Sequence, residues 1–238
     1  MFEDRRFTIP RNWSNKELKK FSYLFNGDVI NVSGWRDKDK EGNDYKDYFK
    51  NARSYTISNF ESKKRGFQGK ENEFFLDLSE DLPQNLINKY DVVFNHTVLE
   101  HIFDFKKAFK NLCLLSKDVV ILVVPFIQEM HGEYGDFWRF TPEAIKILFK
   151  KNKMKVLYSC FNTNKLSSVY LFFVATKTSG KWEKKIHRKY SHKYFERYLF
   201  LKKEKYVGAS SIKNNLLIRT NFLLKKVLKI VKKLTKSK

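Results

Sequence analysis

Residues 91–126 read DVVFNHTVLEHIFDFKKAFKNLCLLSKDVVILVVPF, and the order of patterns in this stretch decides the fold. Asp91 to Asn95 is a short apolar run, the mark of a strand buried on both faces. Phe105, Ala108, Phe109, Leu112 and Leu115 then recur at three-to-four spacing, which predicts a helix. Asp118 to Pro125 is the most apolar run of the chain, with its proline at the end, where a strand tolerates one. A strand, a helix and a second strand in that order make a crossover between parallel neighbours.

The same alternation extends outward. Asp28 to Ser33, Ser54 to Asn59 and Glu73 to Leu78 read as earlier strands, with a short aromatic-faced helix at Asn43 to Ala52. Residues 1–26 read as a polar, partly helical lead-in. Thr141-Pro142-Glu143 opens a further helix: threonine caps, proline suits the first helical position, and glutamate suits the first turn. Met154 to Phe161 and Val169 to Lys177 are two β-rich runs joined too closely for a crossover, so they form a hairpin with an antiparallel strand at that edge. The expected fold is α/β: a doubly wound, mostly parallel seven-stranded sheet with a terminal hairpin. Its ligand crevice belongs at the carboxyl ends of the central strands.

Composition sets the frame. The 238 residues are 42% apolar, with 23 Phe and 12 Tyr, which is enough for a real core and excludes wholesale disorder. Nine Gly and four Pro exclude collagen-like and low-complexity chains, and two Cys cannot form a disulfide framework. No apolar run spans a bilayer and no secretory signal opens the chain, so a cytoplasmic location is expected. The net charge of +22 is uneven: residues 181–238 carry 19 Lys+Arg against 3 Asp+Glu. Two domains follow, a folded unit over 1–180 and a basic tail over 181–238. Within the tail, 213–236 reads as an amphipathic helix whose lysines oppose an apolar stripe that includes Leu216, Leu223, Val227, Ile230 and Leu234. That pattern favours an anionic membrane surface, at the inner face of the membrane, over a protein partner. Nucleic acid is the weakest reading, because lysine rather than arginine dominates and no reading motif occurs.

Two groups of residues carry chemistry. His96, Glu100 and His101 follow the strand at 91–95, where they wall a cleft or cap and pack a helix. His131, Asp136, Trp138 and Arg139 follow the strand that ends at Pro125. His131 or Asp136 suits a general base, Trp138 a stacking surface and Arg139 an anion grip. Bracing of the loop by an Asp136–Arg139 pair, with Trp138 packed on the next helix, stands equally open. No metal site is expected, since His96, His101 and His131 do not stand at recognisable metal-ligand spacing and no Cys joins them.

The segments VLEHI, the proline-ended strand and DFWRFTP, in this order, resemble the class I S-adenosylmethionine-dependent methyltransferases of the type 11-like branch. The likeness covers about residues 28–177. It implies a Rossmann-like methyltransferase fold with S-adenosyl-L-methionine as cofactor. It places Ser33, Gly34, Asn59, Asp77, Asn95 and His96 on the cofactor side, and Glu100, Trp138 and Arg139 on the acceptor side, with His131 and Asp136 as the candidate catalytic residues. The acceptor it implies is a sugar or other small hydroxyl or amine compound in cell-surface polysaccharide synthesis. The first loop departs from the family pattern. It reads NVSGWRDKDKEG, with Gly34 and Gly42 only, and Asn59 stands where an acidic residue is usual. That departure keeps a second reading open, a non-catalytic methyltransferase-like module that binds a glycan or a protein.

Overall fold

The structure is a computed structural model, and it describes residues 4–60, 66–131, 135–164, 167–186, 193–198 and 201–208. The expected helix at 213–236 lies outside these residues.

In chain order the elements are α1 (Thr8–Lys19), β1 (Asp28–Val32), β2 (Ser54–Asn59), β3 (Glu73–Phe75), β4 (Tyr90–His96), α2 (Phe105–Leu115), β5 (Ser116–Ile127), α3 (Pro142–Lys151), β6 (Lys155–Phe161) and β7 (Val169–Thr176). A short helix α4 (Ser179–Trp182) and a hairpin of β8 (Lys193–Tyr198) with β9 (Leu201–Tyr206) follow. Seven strands form one sheet in the order β3-β2-β1-β4-β5-β7-β6. β1 through β5 are parallel, and β7 runs antiparallel to both β5 and β6.

Period-two patterning sorts the central side chains between two cores. From β4 and β5, Val93, Val120, Leu122 and Val124 join α2 and α3 in one core. Val92, Phe94, Val119, Ile121 and Val123 join Leu18, Phe21 and Phe25 in the other. The sheet is therefore covered on both faces, as its apolar central strands require. The helix starts also follow the sequence. Thr141 accepts a hydrogen bond from the Ala144 amide ahead of Pro142, and Asp104 caps α2 through the Lys107 amide.

Several expectations change in detail. The antiparallel strand β7 is not at the edge but inserted between β5 and β6. All eight of its residues are buried, whereas β6 has exposed or half-buried ends, so the more apolar strand takes the interior place. The helix expected at 43–52 is a single 3₁₀ turn at Tyr45–Tyr48, held by burial of Tyr45, Tyr48 and Phe49. The third strand stops at Phe75. The polar lead-in is a packing helix: α1 lies against β7, and its buried Glu17 accepts from the Tyr158 hydroxyl at 2.6 Å.

The chain after the sheet also contributes to the core. Trp182 and Ile186 are buried, and the Trp182 indole donates to Asp118 at 2.8 Å. Val207 packs on the first core, and Gly208, at φ +81°, lies so close to the end of β5 that a Cβ there would meet Ile127 at 2.4 Å. The expected boundary at 180 thus falls just before residues that fill the core. No helix among the described residues is long and apolar enough to cross a membrane. Trp182→Ala removes a buried indole and one of the donors to Asp118. The expected loss is about 3–5 kcal/mol of unfolding free energy in urea titration, and a loss near zero would place Trp182 outside the cooperative unit.

Candidate functional site at the carboxyl edge of the sheet

β1, β2, β4 and β5 all end on one edge, and the polar residues singled out from the sequence collect along it. The loop after β1 is built on carboxylates rather than glycines. Asp37, buried, accepts from the Asn31 amide at 2.7 Å, the Tyr55 hydroxyl at 2.7 Å and the Lys46 backbone at 2.8 Å. Asp39, also buried, accepts from the backbone of Glu41 and Asn43 and from the Tyr48 hydroxyl. Ser33, Trp35, Asp37 and Lys40 all hold positive φ, conformations that glycine would take without strain. Side-chain hydrogen bonds fix those conformations here. Gly34 remains because a Cβ would strike the buried Asn31 side chain at 2.5 Å.

This loop engages Asn59, the residue expected on the cofactor side at the end of β2. Asn59 is buried, its Oδ1 accepts from the Trp35 amide at 2.7 Å, and its Nδ2 donates to Glu73 at 2.6 Å. Asp77 is half-buried just beyond β3 and accepts from the Ser79 backbone and hydroxyl. Asn95 is fully buried at the end of β4. Its Nδ2 donates to the Val32 carbonyl at 3.1 Å, while its Oδ1 has no hydrogen-bond partner. Ser58 Oγ, at the end of β2, is likewise buried and unpartnered. Two orphaned polar atoms, on the strands either side of β1 and both level with Val32, are a cost that a polar ligand removes.

His96 lies under α1 rather than on an open wall. Its Nε2 is 2.7 Å from Ser14 Oγ and its Nδ1 3.1 Å from Thr97 Oγ1. Ser14 donates to the Arg11 carbonyl and Thr97 accepts from Arg11, so the ring donates from Nε2 and accepts at Nδ1. That is a neutral imidazole, in keeping with a pKa driven well down by burial and by nearby Arg11. No sequence pattern signals the Ser14 and Arg11 contributions, because they come from the far end of the chain.

Beyond Thr97 a 3₁₀ turn carries Leu99, Glu100 and His101. Glu100 is fully buried, and neither carboxylate oxygen has a hydrogen-bond partner. Desolvation raises its pKa to about 8. Its backbone carbonyl receives the amides of Phe137 and Trp138, which ties this turn to the loop after β5. In that loop Asp136 accepts from the His131 backbone at 2.8 Å and from Arg139 through both oxygens. The Arg139 pair holds the Asp136 pKa down to about 2. Arg139 also donates to the carbonyls of Gln128, Glu129 and Trp138, so its donors are spent within the chain. Trp138 packs on Phe105, and its indole donates to the Phe103 carbonyl. Geometrically, Arg139 and Trp138 brace the loop. His101 and His131 meet edge to face at 5.0 Å between ring centroids.

Two cavities lie elsewhere. The larger, about 630 Å³, is lined by Asp28, Ser54, Glu73 and Tyr90, beside the amino ends of β1, β2 and β4. In a parallel sheet ligands sit at the carboxyl ends, so we do not place the site there. The smaller, about 240 Å³, adjoins Asp91, Asp118 and Trp182, again at the amino edge.

The chain superimposes on solved methyltransferase structures. A proposed S-adenosylmethionine-dependent methyltransferase from Listeria monocytogenes matches at TM-score 0.51 and 12% identity, over 71% of this chain and 98% of that one. A proposed methyltransferase from Bacillus halodurans matches at TM-score 0.51 and 7% identity, over 68% of this chain and 97% of that one. A proposed sarcosine dimethylglycine methyltransferase from Galdieria sulphuraria matches at TM-score 0.50 and 10% identity, over 71% and 85%. This chain has the class I methyltransferase fold. No protein-family model matches it, and no curated protein matches in sequence.

In this fold the Asn59–Glu73 contact has a testable consequence. Asn59→Asp would set a second carboxylate against Glu73 and delete the bond between them, so the variant should unfold at lower urea concentration than the parent. Adding Glu73→Gln should recover much of the loss, because an amide again faces a carboxylate. Additive losses in this double-mutant cycle would show that the two side chains do not interact.

Proposed function

We propose that the chain is a methyltransferase that takes its methyl group from S-adenosyl-L-methionine. The observation that carries this reading is the pair of orphaned acceptors, Ser58 Oγ and Asn95 Oδ1, at the carboxyl ends of β2 and β4. They stand where this fold opens its ligand crevice. The hydroxyls and amine of a nucleoside would satisfy such atoms. When bound, the cofactor supplies an activated methyl group on a sulfonium.

Ser33 and Gly34 would border it after β1, with Asp77 on the base side, Asn59 on the ribose side and Asn95 beside the strand ends. Asn59 already bonds Trp35 and Glu73, so occupying it requires the Trp35 backbone to yield its place. We therefore expect weaker affinity than a glycine-rich loop provides. His96, neutral and fixed by Ser14, shapes the wall rather than carrying charge.

On the acceptor side, His131 is the residue suited to receive or relay the acceptor proton, and Asp136 orients it from behind. Exposed Phe103 and Phe137 flank Trp138 and offer faces on which a sugar ring could stack. A sugar acceptor of surface-polysaccharide synthesis fits those faces. The basic segment 213–236 would hold the enzyme against the inner face of an anionic membrane, on the strength of its sequence pattern alone.

The alternative is a glycan- or protein-binding module without turnover, and the closed Asn59–Trp35 contact favours it. Calorimetric titration of the full chain with S-adenosylhomocysteine and S-adenosylmethionine decides between the two. The enzyme reading expects one saturable site for each ligand, retained in His131→Ala. No heat and no thermal shift at millimolar ligand would remove it in favour of the module.

A further inference from the structure

We propose that Glu100, His101 and His131 form a binding site for a divalent transition-metal cation. Each offers one ligand atom, and the three atoms lie within 4.8 Å of one another. They come from two loops: Glu100 and His101 from the turn after β4, His131 from the loop after β5. The expectation of no metal rested on spacing along the chain, and the paired loops make the cluster without it.

Three observations point to a cation. The first is the Glu100 carboxylate, fully buried with both oxygens unpartnered, its near neighbour being His101 Nε2 at 3.8 Å. Burying an acidic group with no donor is costly, and a coordinated cation removes that cost. The second is the orientation of the imidazoles. His101 Nδ1 lies 2.5 Å from the Gly135 carbonyl, so it carries the proton, and Nε2 faces Glu100. His131 Nδ1 lies 3.3 Å from the Glu129 carbonyl and 3.4 Å from Asp136 Oδ2. A histidine that ligates a metal commonly donates its other ring nitrogen to a carbonyl or carboxylate, which fixes tautomer and angle. Both rings have that arrangement. The third is rigidity. The Glu100 carbonyl takes the amides of Phe137 and Trp138, and Arg139 locks Asp136, so both loops are tied to each other.

Two imidazoles and one carboxylate suit zinc, cobalt and similar borderline cations better than magnesium or calcium, which prefer all-oxygen shells. The formal charge of +22 opposes loose attraction of cations, so uptake by the chain would reflect these ligands rather than general electrostatics. Three protein ligands leave a position open for a water or an acceptor hydroxyl. With the cation bound, His131 serves as a ligand and no longer as the base, and an acceptor hydroxyl at the open position would release its proton to solvent more readily; this last point alone rests on the methyl-transfer reading.

The test is calorimetric and spectroscopic titration of the chelator-treated, untagged full chain with Zn²⁺ and Co²⁺, with no nucleoside present. The expected result is one equivalent of cation, a cobalt spectrum typical of low coordination, and loss of both in Glu100→Gln and in His131→Ala. His131 is partly exposed, so its variant keeps the test valid should the buried Glu100→Gln fail to fold. Asp136→Asn should weaken binding by about 10–100-fold without abolishing it. No stoichiometric uptake by the parent chain, or equal uptake by His131→Ala, would overturn the site. Because S-adenosylhomocysteine binding is measured separately, failure here is distinguishable from failure of the methyltransferase reading.

Discussion

The parallel pairing of β4 with β1 on one side and β5 on the other is the constraint on which the functional edge depends. Val29 to Val32 align with Val92 to Asn95, and Val92 to His96 align with Val119 to Val123. This register brings Asn95 level with Val32, where its amide bonds the carbonyl, and it starts the turn that carries Glu100 and His101 next to the exit of β5. A slip of one residue would invert every side chain on β4, exchanging the faces that Phe94 and Asn95 occupy. The two cores make such a slip prohibitive, since residues that alternate between them are all fully or nearly fully buried.

A second theme is the replacement of glycine by side-chain chemistry. The loop after β1 takes several left-handed conformations with few glycines, and two buried carboxylates hold it in place. Asp37 has its pKa raised by burial, while Asp39 has its own lowered by the donors around it, despite its burial. The loop is thus preorganised from inside. It reaches Asn59 through the Trp35 backbone, so the chain's own amide occupies the Asn59 acceptor. At the ends of β2, β4 and β5 the opposite holds, with unpartnered polar atoms at Ser58, Asn95, Glu100 and Gln128.

Much of the framework was legible in the sequence because apolar runs, helix periods and caps are local signals. The strands at 28–33, 54–59, 91–95, 118–125, 154–161 and 169–177, the cap at Thr141 and the α2 period all stand where the patterns place them. The interior position of β7 was not legible, because a hairpin specifies adjacency and not which member faces the next strand. The hairpin β8–β9 and the anchoring of Trp182 were hidden by a composition that looked like a charged tail. The VLEHI and DFWRFTP segments fall on the two loops that the Glu100 carbonyl ties together. Three features needed long-range contacts to emerge: Ser14 on His96, Trp35 on Asn59, and the convergence of His131 on Glu100 and His101. None leaves a periodic or spaced trace along the chain.

The central claim is that ligand chemistry occurs on the carboxyl edge of the sheet, although the larger cavity lies on the amino edge. Hydrogen–deuterium exchange of the full chain with and without saturating S-adenosylhomocysteine tests this most directly. The account predicts slower exchange in the backbone amides of residues 33–44 and 95–101, with little change at residues 54–56 and 83–90. Protection confined to the amino-edge cavity around Ser54, Glu73 and Tyr90, with the loop at 33–44 unaltered, would contradict it.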